Sequence, residues 1–299
     1  MLSPFPIVPV VPVVPVVHVK MAGMGSRSSI FPALTFIVTG CVLFAHLSAV
    51  GPAGAQAPES PELRLARQHY FSGRYTAAAE AAAPLTAGGP EALAAYELRT
   101  AALHFELKRQ LGDGTNKSKA LKQCTGCQPL IDAFMKDVTA GKALARTVLK
   151  DQPQNESALF YLGKLDLNYV WLQLSTLGKR TGWGEFWNAR HSIEAVLKAN
   201  PKNVRARVAY AWIEYIVDTR VPFGLAWTLG GGDKKKALKS VTEAAATVGD
   251  PYEKAEAEFG LWEMLTRDKR PADALVVAKR LIVDFPENKE LQRFVATAK

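Results

Sequence analysis

The sequence predicts an all-α protein: a solenoid of about five antiparallel helix pairs, capped by one C-terminal helix. Three observations carry that expectation. A segment of 48 residues occurs twice, aligning Ala158 with Ala206, Leu162 with Tyr210, Gly163 with Ala211, Leu177 with Leu225, Gly182 with Gly230, Gly184 with Gly232, Ala189 with Ala237 and Ile193 with Val241. Apolar residues recur at three- and four-residue spacing, as in Leu144, Val148, Leu149 and in Ile193, Val196, Leu197, which marks one face of a helix. Breakers separate the periodic segments (Gly88-Gly89-Pro90, Gly112-Asp113-Gly114, Pro153, Gly182, Pro201, Gly230-Gly231-Gly232, Pro251, Pro286), and no alternating run bounded by hairpin turns occurs.

The units follow in order. Leu65-Ala66, Tyr70, Gly73, Tyr75, Ala78 and Pro90 mark the first pair. Ala92 to Gln110 reads as the first helix of a second pair and Pro129 to Leu149 as its second helix, with Gly112 to Cys127 as a long interruption. The two 48-residue copies supply the third and fourth pairs, and Leu261-Trp262, Ala274, Leu281 and Pro286 mark the fifth. Glu287 to Lys299 mixes charge with Leu291, Phe294 and Val295, as a helix does that covers a final pair and faces water on its other side. A small residue where two helices touch, a second on the following helix and a closing proline, as in Leu162-Gly163, Ala189 and Pro201, resemble the tetratricopeptide repeat (TPR). That family's unit has about 34 residues, so each 48-residue copy carries about 14 more, placed at the turn between its helices. One pair cannot bury its apolar face alone; stacked pairs build a continuous core.

The chain divides at residue 57, with a Pro/Val-rich extension and signal-like leader over 1–57 and the repeats over 58–299. Met1 to Lys20 is a Pro-Val run that cannot be helical. From Met21 or Met24 onward, Arg27, the apolar stretch Ile30 to Val50 and Ala53-Gly54-Ala55 have the layout of a secretory signal, with the mature chain starting near Gln56, and cleavage after Ala57 is a further option. Val38-Thr39-Gly40-Cys41 also resembles a lipoprotein box, and the apolar span is long enough to stay as an anchor. Each outcome delivers the repeats outside the inner membrane, so a periplasmic or secreted location is expected. Membrane association is then expected only through the leader or a lipidated Cys41.

Beyond residue 57 the chain keeps 35 basic and 28 acidic residues, dispersed along it. The one dense run, Lys234-Lys235-Lys236, follows Asp233, a natural N-cap. Nucleic-acid binding needs a basic stripe with stacking aromatics, which this pattern lacks, so no nucleic acid is expected. An anionic lipid surface or an acidic partner is the more reasonable use of the excess charge. Cys124 and Cys127, the two cysteines left after the leader, precede a helix. Two thiolates are too few for structural zinc, and Gln128 stands where a covalent haem needs histidine. A local disulfide that staples the long interruption to the next helix is the expectation, ahead of a redox pair.

No catalytic constellation is present: His69, His104 and His191 lie far apart, Gly230-Gly231-Gly232-Asp233-Lys234 lacks Walker spacing, and there is no GxSxG elbow. No cofactor, metal or enzymatic activity is expected. The six tryptophans lie between Trp171 and Trp262, with Trp171, Trp183, Trp187 and Trp227 in or beside the two extensions. The TPR resemblance implies a concave face lined by first helices, which places Phe160, Lys164 and Asn168 of one unit there, and Arg205 and Trp212 of the next. Trp183, Trp187 and Trp227, with Arg180 and Arg220, are expected to wall that face as a lip, although large aromatics equally serve to fill extra core. The resemblance implies a scaffold that binds a protein or peptide partner, and the leader implies that it is exported. A second reading is a small-molecule- or lipid-binding accessory of an envelope transporter, and a third is a thiol-disulfide enzyme built on Cys124 and Cys127.

Overall fold

The computed structural model describes residues 59–112, 116–179, 181–221, 226–247 and 249–298. The leader with its cleavage positions and Cys41 lies outside these residues, as do Arg180 and the side chain of Trp227. Twelve α-helices follow one another among the described residues: α1 (Pro61–Phe71), α2 (Tyr75–Ala82), α3 (Ala92–Leu111), α4 (Lys117–Gln123), α5 (Cys127–Asp151), α6 (Glu156–Trp171), α7 (Trp183–Ala199), α8 (Val204–Arg220), α9 (Lys234–Ala245), α10 (Pro251–Arg267), α11 (Pro271–Asp284) and α12 (Lys289–Thr297). No strand occurs among them, and no helix is long and apolar enough to cross a membrane.

The five expected pairs and the cap are present. α1 packs on α2, α3 on α5, α6 on α7, α8 on α9 and α10 on α11, and the second helix of each pair touches the first helix of the next. The 48-residue repeat shows in the helix starts. Asn155 accepts from the Ala158 amide at 2.9 Å, and Asn203, its counterpart, accepts from the Ala206 amide at 2.8 Å. Gly182 and Gly230 occupy equivalent positive-φ positions, at 97° and 81°. Pro61, Pro251 and Pro271 sit in the first turns of α1, α10 and α11, where the missing N–H costs no helical bond, so the breaker Pro251 starts a helix.

Three details depart from the sequence expectation. The third unit's extension is not confined to a turn, because α6 runs on through a π-helical stretch, Leu172–Thr176, before the chain turns back at Gly182. The interruption of the second unit contains a short helix, α4. The third departure is long-range: the C-terminal segment meets the first pair as well as the last. The Asn288 side chain donates to the Phe71 carbonyl, and Arg74 pairs with Glu287 at 3.0 Å. The Phe71 ring packs 5.4 Å from both Phe259 and Phe285 and stacks on Tyr252, joining the main apolar core of the last two units. The array therefore closes on itself, and its first helices face one another.

Candidate functional site

Closure gathers charged side chains from four first helices. Lys164 of α6 lies 2.7 Å from Glu256 of α10 and 3.5 Å from Glu97 of α3; Arg205 of α8 lies 2.7 Å and 3.3 Å from the same two carboxylates. Arg205 also donates to the Tyr161 hydroxyl at 3.0 Å and sits 4.6 Å over the Phe160 ring. Two anions and two cations make the cluster neutral, and none of the four side chains is more than 18 % accessible. Burial raises Glu256, but Arg205 and Lys164 outweigh it and hold the carboxyl well below the usual range. For Lys164, burial works against the charge while Glu256 and Glu97 raise it above the ordinary lysine value.

One layer along the helices, Asn168 donates to the Thr100 hydroxyl at 3.0 Å and to the Glu97 carbonyl at 3.3 Å. His104 Nε2 lies 2.7 Å from Thr176 Oγ1 in the π-helical stretch, so the extension of the third unit is tied to α3. Burial, then the charge of Lys108, pushes the His104 pKa down to about 4, which leaves a neutral imidazole near pH 7.

Towards the C-terminal ends of the first helices the face opens. Glu263 and Arg267 of α10 pair with each other, keeping 38 % and 34 % of their side chains accessible. Arg267 lies 5.7 Å from the Trp212 ring and Lys108 5.7 Å from the Phe105 ring, which stacks on Tyr75. Burial raises Glu263, and Arg267, Lys108 and His104 together bring it below the ordinary carboxylate value. Lys108 has no carboxylate within ion-pair distance among the described residues. The opening thus offers an accessible ammonium, a guanidinium and flat aromatic walls, a set suited to a polypeptide carrying carboxylates and apolar side chains.

Five residues singled out from the sequence come together on this inner face: Phe160, Lys164, Asn168, Arg205 and Trp212. Phe160 and Asn168 are buried, Lys164 and Arg205 have their charges met within the cluster, and Trp212 lines the approach to the open end. Trp183 and Trp187 do not join them. Trp183 is 51 % exposed, Trp187 is half-buried against the core formed with Phe186, Ala189 and Ile193, and Arg220 is exposed at the end of α8. Glu97, Glu256, Glu263 and Arg267 were not anticipated. Only Glu97 carried a signal, as an acidic residue inside the otherwise apolar run from Ala92 to Leu98.

Cys124 and Cys127 form a disulfide with a Cα–Cα distance of 5.4 Å. Cys127 is fully buried at the start of α5 and belongs to a core with Phe134 and Leu172, so the bond links the end of α4 to that core. No group of three or more His, Cys, Asp or Glu that could hold a metal occurs among the described residues. A shallow cavity of about 380 Å³ lies between the start of α1 and Tyr252 of α10, lined by Glu59, Arg64, Leu65 and Gln68.

No family model matches the chain, and no curated protein matches it. Among solved structures, it is similar to a thermophilic TPR protein from Thermus thermophilus, with 19 % identity, coverage of 79 % of this chain and 96 % of that one, and a TM-score of 0.42.

Proposed function

We propose that this chain is a non-catalytic scaffold, exported to the cell envelope, that binds a protein or peptide partner at the open end of its inner face. The carrying observation is the contrast between the two ends of that face. At one end Glu97, Lys164, Arg205 and Glu256 satisfy one another; at the other Lys108 makes no ion pair among the described residues, and Glu263 and Arg267 stay about a third accessible. An accessible charge outside any ion pair favours an incoming one of opposite sign. Export is supported by the signal-like layout before residue 58 and agrees with a disulfide in an oxidising compartment.

The test is a photoreactive amino acid placed at Lys108 or, as control, at Val283, which is 76 % exposed on α11. Irradiation of living cells should give a discrete conjugate from position 108 and none from 283. Equal labelling at both positions would remove the inner face as the site. Fractionation of the same cells decides the compartment: recovery in the cytosol with the leader intact would overturn export.

A further inference from the structure

The outer side of α7 and α9 carries a second surface, independent of the partner site proposed above. On α7, Trp183, Trp187 and His191 follow at four-residue steps and form one stripe about 12 Å long. Trp183 is half exposed, and Trp187 stacks on His191 with centroids 5.5 Å apart. The 48-residue repeat places Lys235 and Lys239 of α9 at the positions of Trp187 and His191. Both lysines are exposed and make no ion pair among the described residues. Lys198 continues the α7 stripe a further two turns on and is also exposed.

The two helices are held together beside this stripe. Arg190 of α7, one residue before His191, is buried and donates to the carbonyls of Leu229, Gly230 and Gly231 at 3.1, 3.0 and 3.3 Å, just before α9 begins. The aromatic stripe and the lysines therefore lie on second helices of successive pairs, joined where α9 begins.

We infer that this outer surface docks on an anionic phospholipid bilayer. Indole rings settle at the boundary between headgroups and acyl chains, where one edge is apolar and the other wet. Unpaired lysines beside them are drawn to negatively charged headgroups. An extended peptide needs a groove or a sheet edge, which an exposed helix face does not supply. The open end of the inner face then remains free while the protein sits on the membrane.

All six tryptophans lie in the repeats, so indole fluorescence reports the repeats alone even in the full chain with its leader. The experiment mixes full-length protein with vesicles of phosphatidylglycerol and brominated phosphatidylcholine, and separately with vesicles of brominated phosphatidylcholine only. Anionic vesicles should quench the indole emission, and Trp183→Phe should remove a measurable share of that quenching. Lys235→Ala with Lys239→Ala should raise the lipid concentration for half-maximal quenching at least about tenfold at low salt, since each lysine near such a surface is worth about fivefold. Absence of quenching, equal quenching by neutral vesicles, or quenching untouched by these variants would each overturn the inference. Saturable binding of an oligo-glutamate peptide, lost in the same variants while vesicles leave the indoles unquenched, would reassign the surface to an acidic polypeptide.

Discussion

The side-chain amide of Asn288 donates to the backbone carbonyl of Phe71 at 2.8 Å, across 217 positions of sequence. The same side chain caps α12, its oxygen accepting from the amides of Glu290 and Leu291. One buried residue thus starts the last helix and ties it to the first pair.

Asn288→Ala removes both roles and should cost about 2–3 kcal/mol, a cap plus a buried carbonyl left unpaired. Asn288→Ser keeps the cap but is too short to reach Phe71, so it should recover only part of the loss. Urea melts of the three proteins check this order. Full recovery by serine would show that the link to Phe71 contributes nothing.

Arg205→Met leaves Glu97 and Glu256 sharing Lys164 alone inside the array. Breaking a buried pair from one side costs about 3–5 kcal/mol. The double variant with Glu256→Gln should be less destabilised than the sum of the two single variants, because it removes the orphaned charge together with its partner. Additive losses in a double-mutant cycle would mean that the two groups do not interact in the folded protein.

His104 supplies a pH dependence with a definite sign. Its pKa falls from the ordinary 6.5 to about 4 in the folded protein, chiefly through burial. The unfolded chain therefore takes up a proton first as the pH drops. Stability is complete above pH 6.5 and falls towards pH 4, with about 3 kcal/mol lost in all. His104→Gln should flatten the slope between pH 6.5 and about 5, where most carboxylates are still charged. His69 is lowered as well, so the comparison is of variant with wild type and not with a flat line. Parallel slopes in the two proteins would refute the assignment.

Gly184 and Gly232 hold the same position in the two copies, yet they differ in surroundings. A Cβ at Gly232 would lie 2.5 Å from the Asp218 amide nitrogen and 2.6 Å from the Glu214 carbonyl, whereas one at Gly184 meets nothing within 4 Å. Gly232→Ala must displace backbone and should cost at least about 1–3 kcal/mol, while Gly184→Ala, in the first turn of α7, should be neutral or add up to about 1 kcal/mol. Thermal melts of the pair make the test, and equal effects would contradict the packing.

The fold was legible because its signals are local. Asn155 and Asn203 cap equivalent helices, Gly182 and Gly230 turn equivalent corners, and the apolar spacing names the buried faces. The inner face was legible only by half. The TPR resemblance places Lys164 and Arg205 on a face, but it does not say how strongly this stack curves. Curvature brings α10 opposite α6 and α8, so that Glu256 meets both cations 92 and 51 positions away. Glu256 and Glu263 read in one dimension as the polar side of a helix. The expected lip failed to gather Trp183 and Trp187 with Lys164 for a related reason: the third unit's extension went partly into lengthening α6, while Trp183 is left exposed at the start of α7 and Trp187 packs against the core of its own unit.

A linear stack of repeats has two outermost members, each with a single neighbour, and they are the first to come undone. The link from Asn288 to Phe71 gives the first pair a second set of neighbours: α2 and α3 lie on one side of α1, and Asn288, Phe259 and Phe285 meet Phe71 on the other. No member is outermost. Amide exchange in α1 and α2 should then slow to the rate of the central helices, and the chain should come apart as one cooperative unit instead of peeling from its ends.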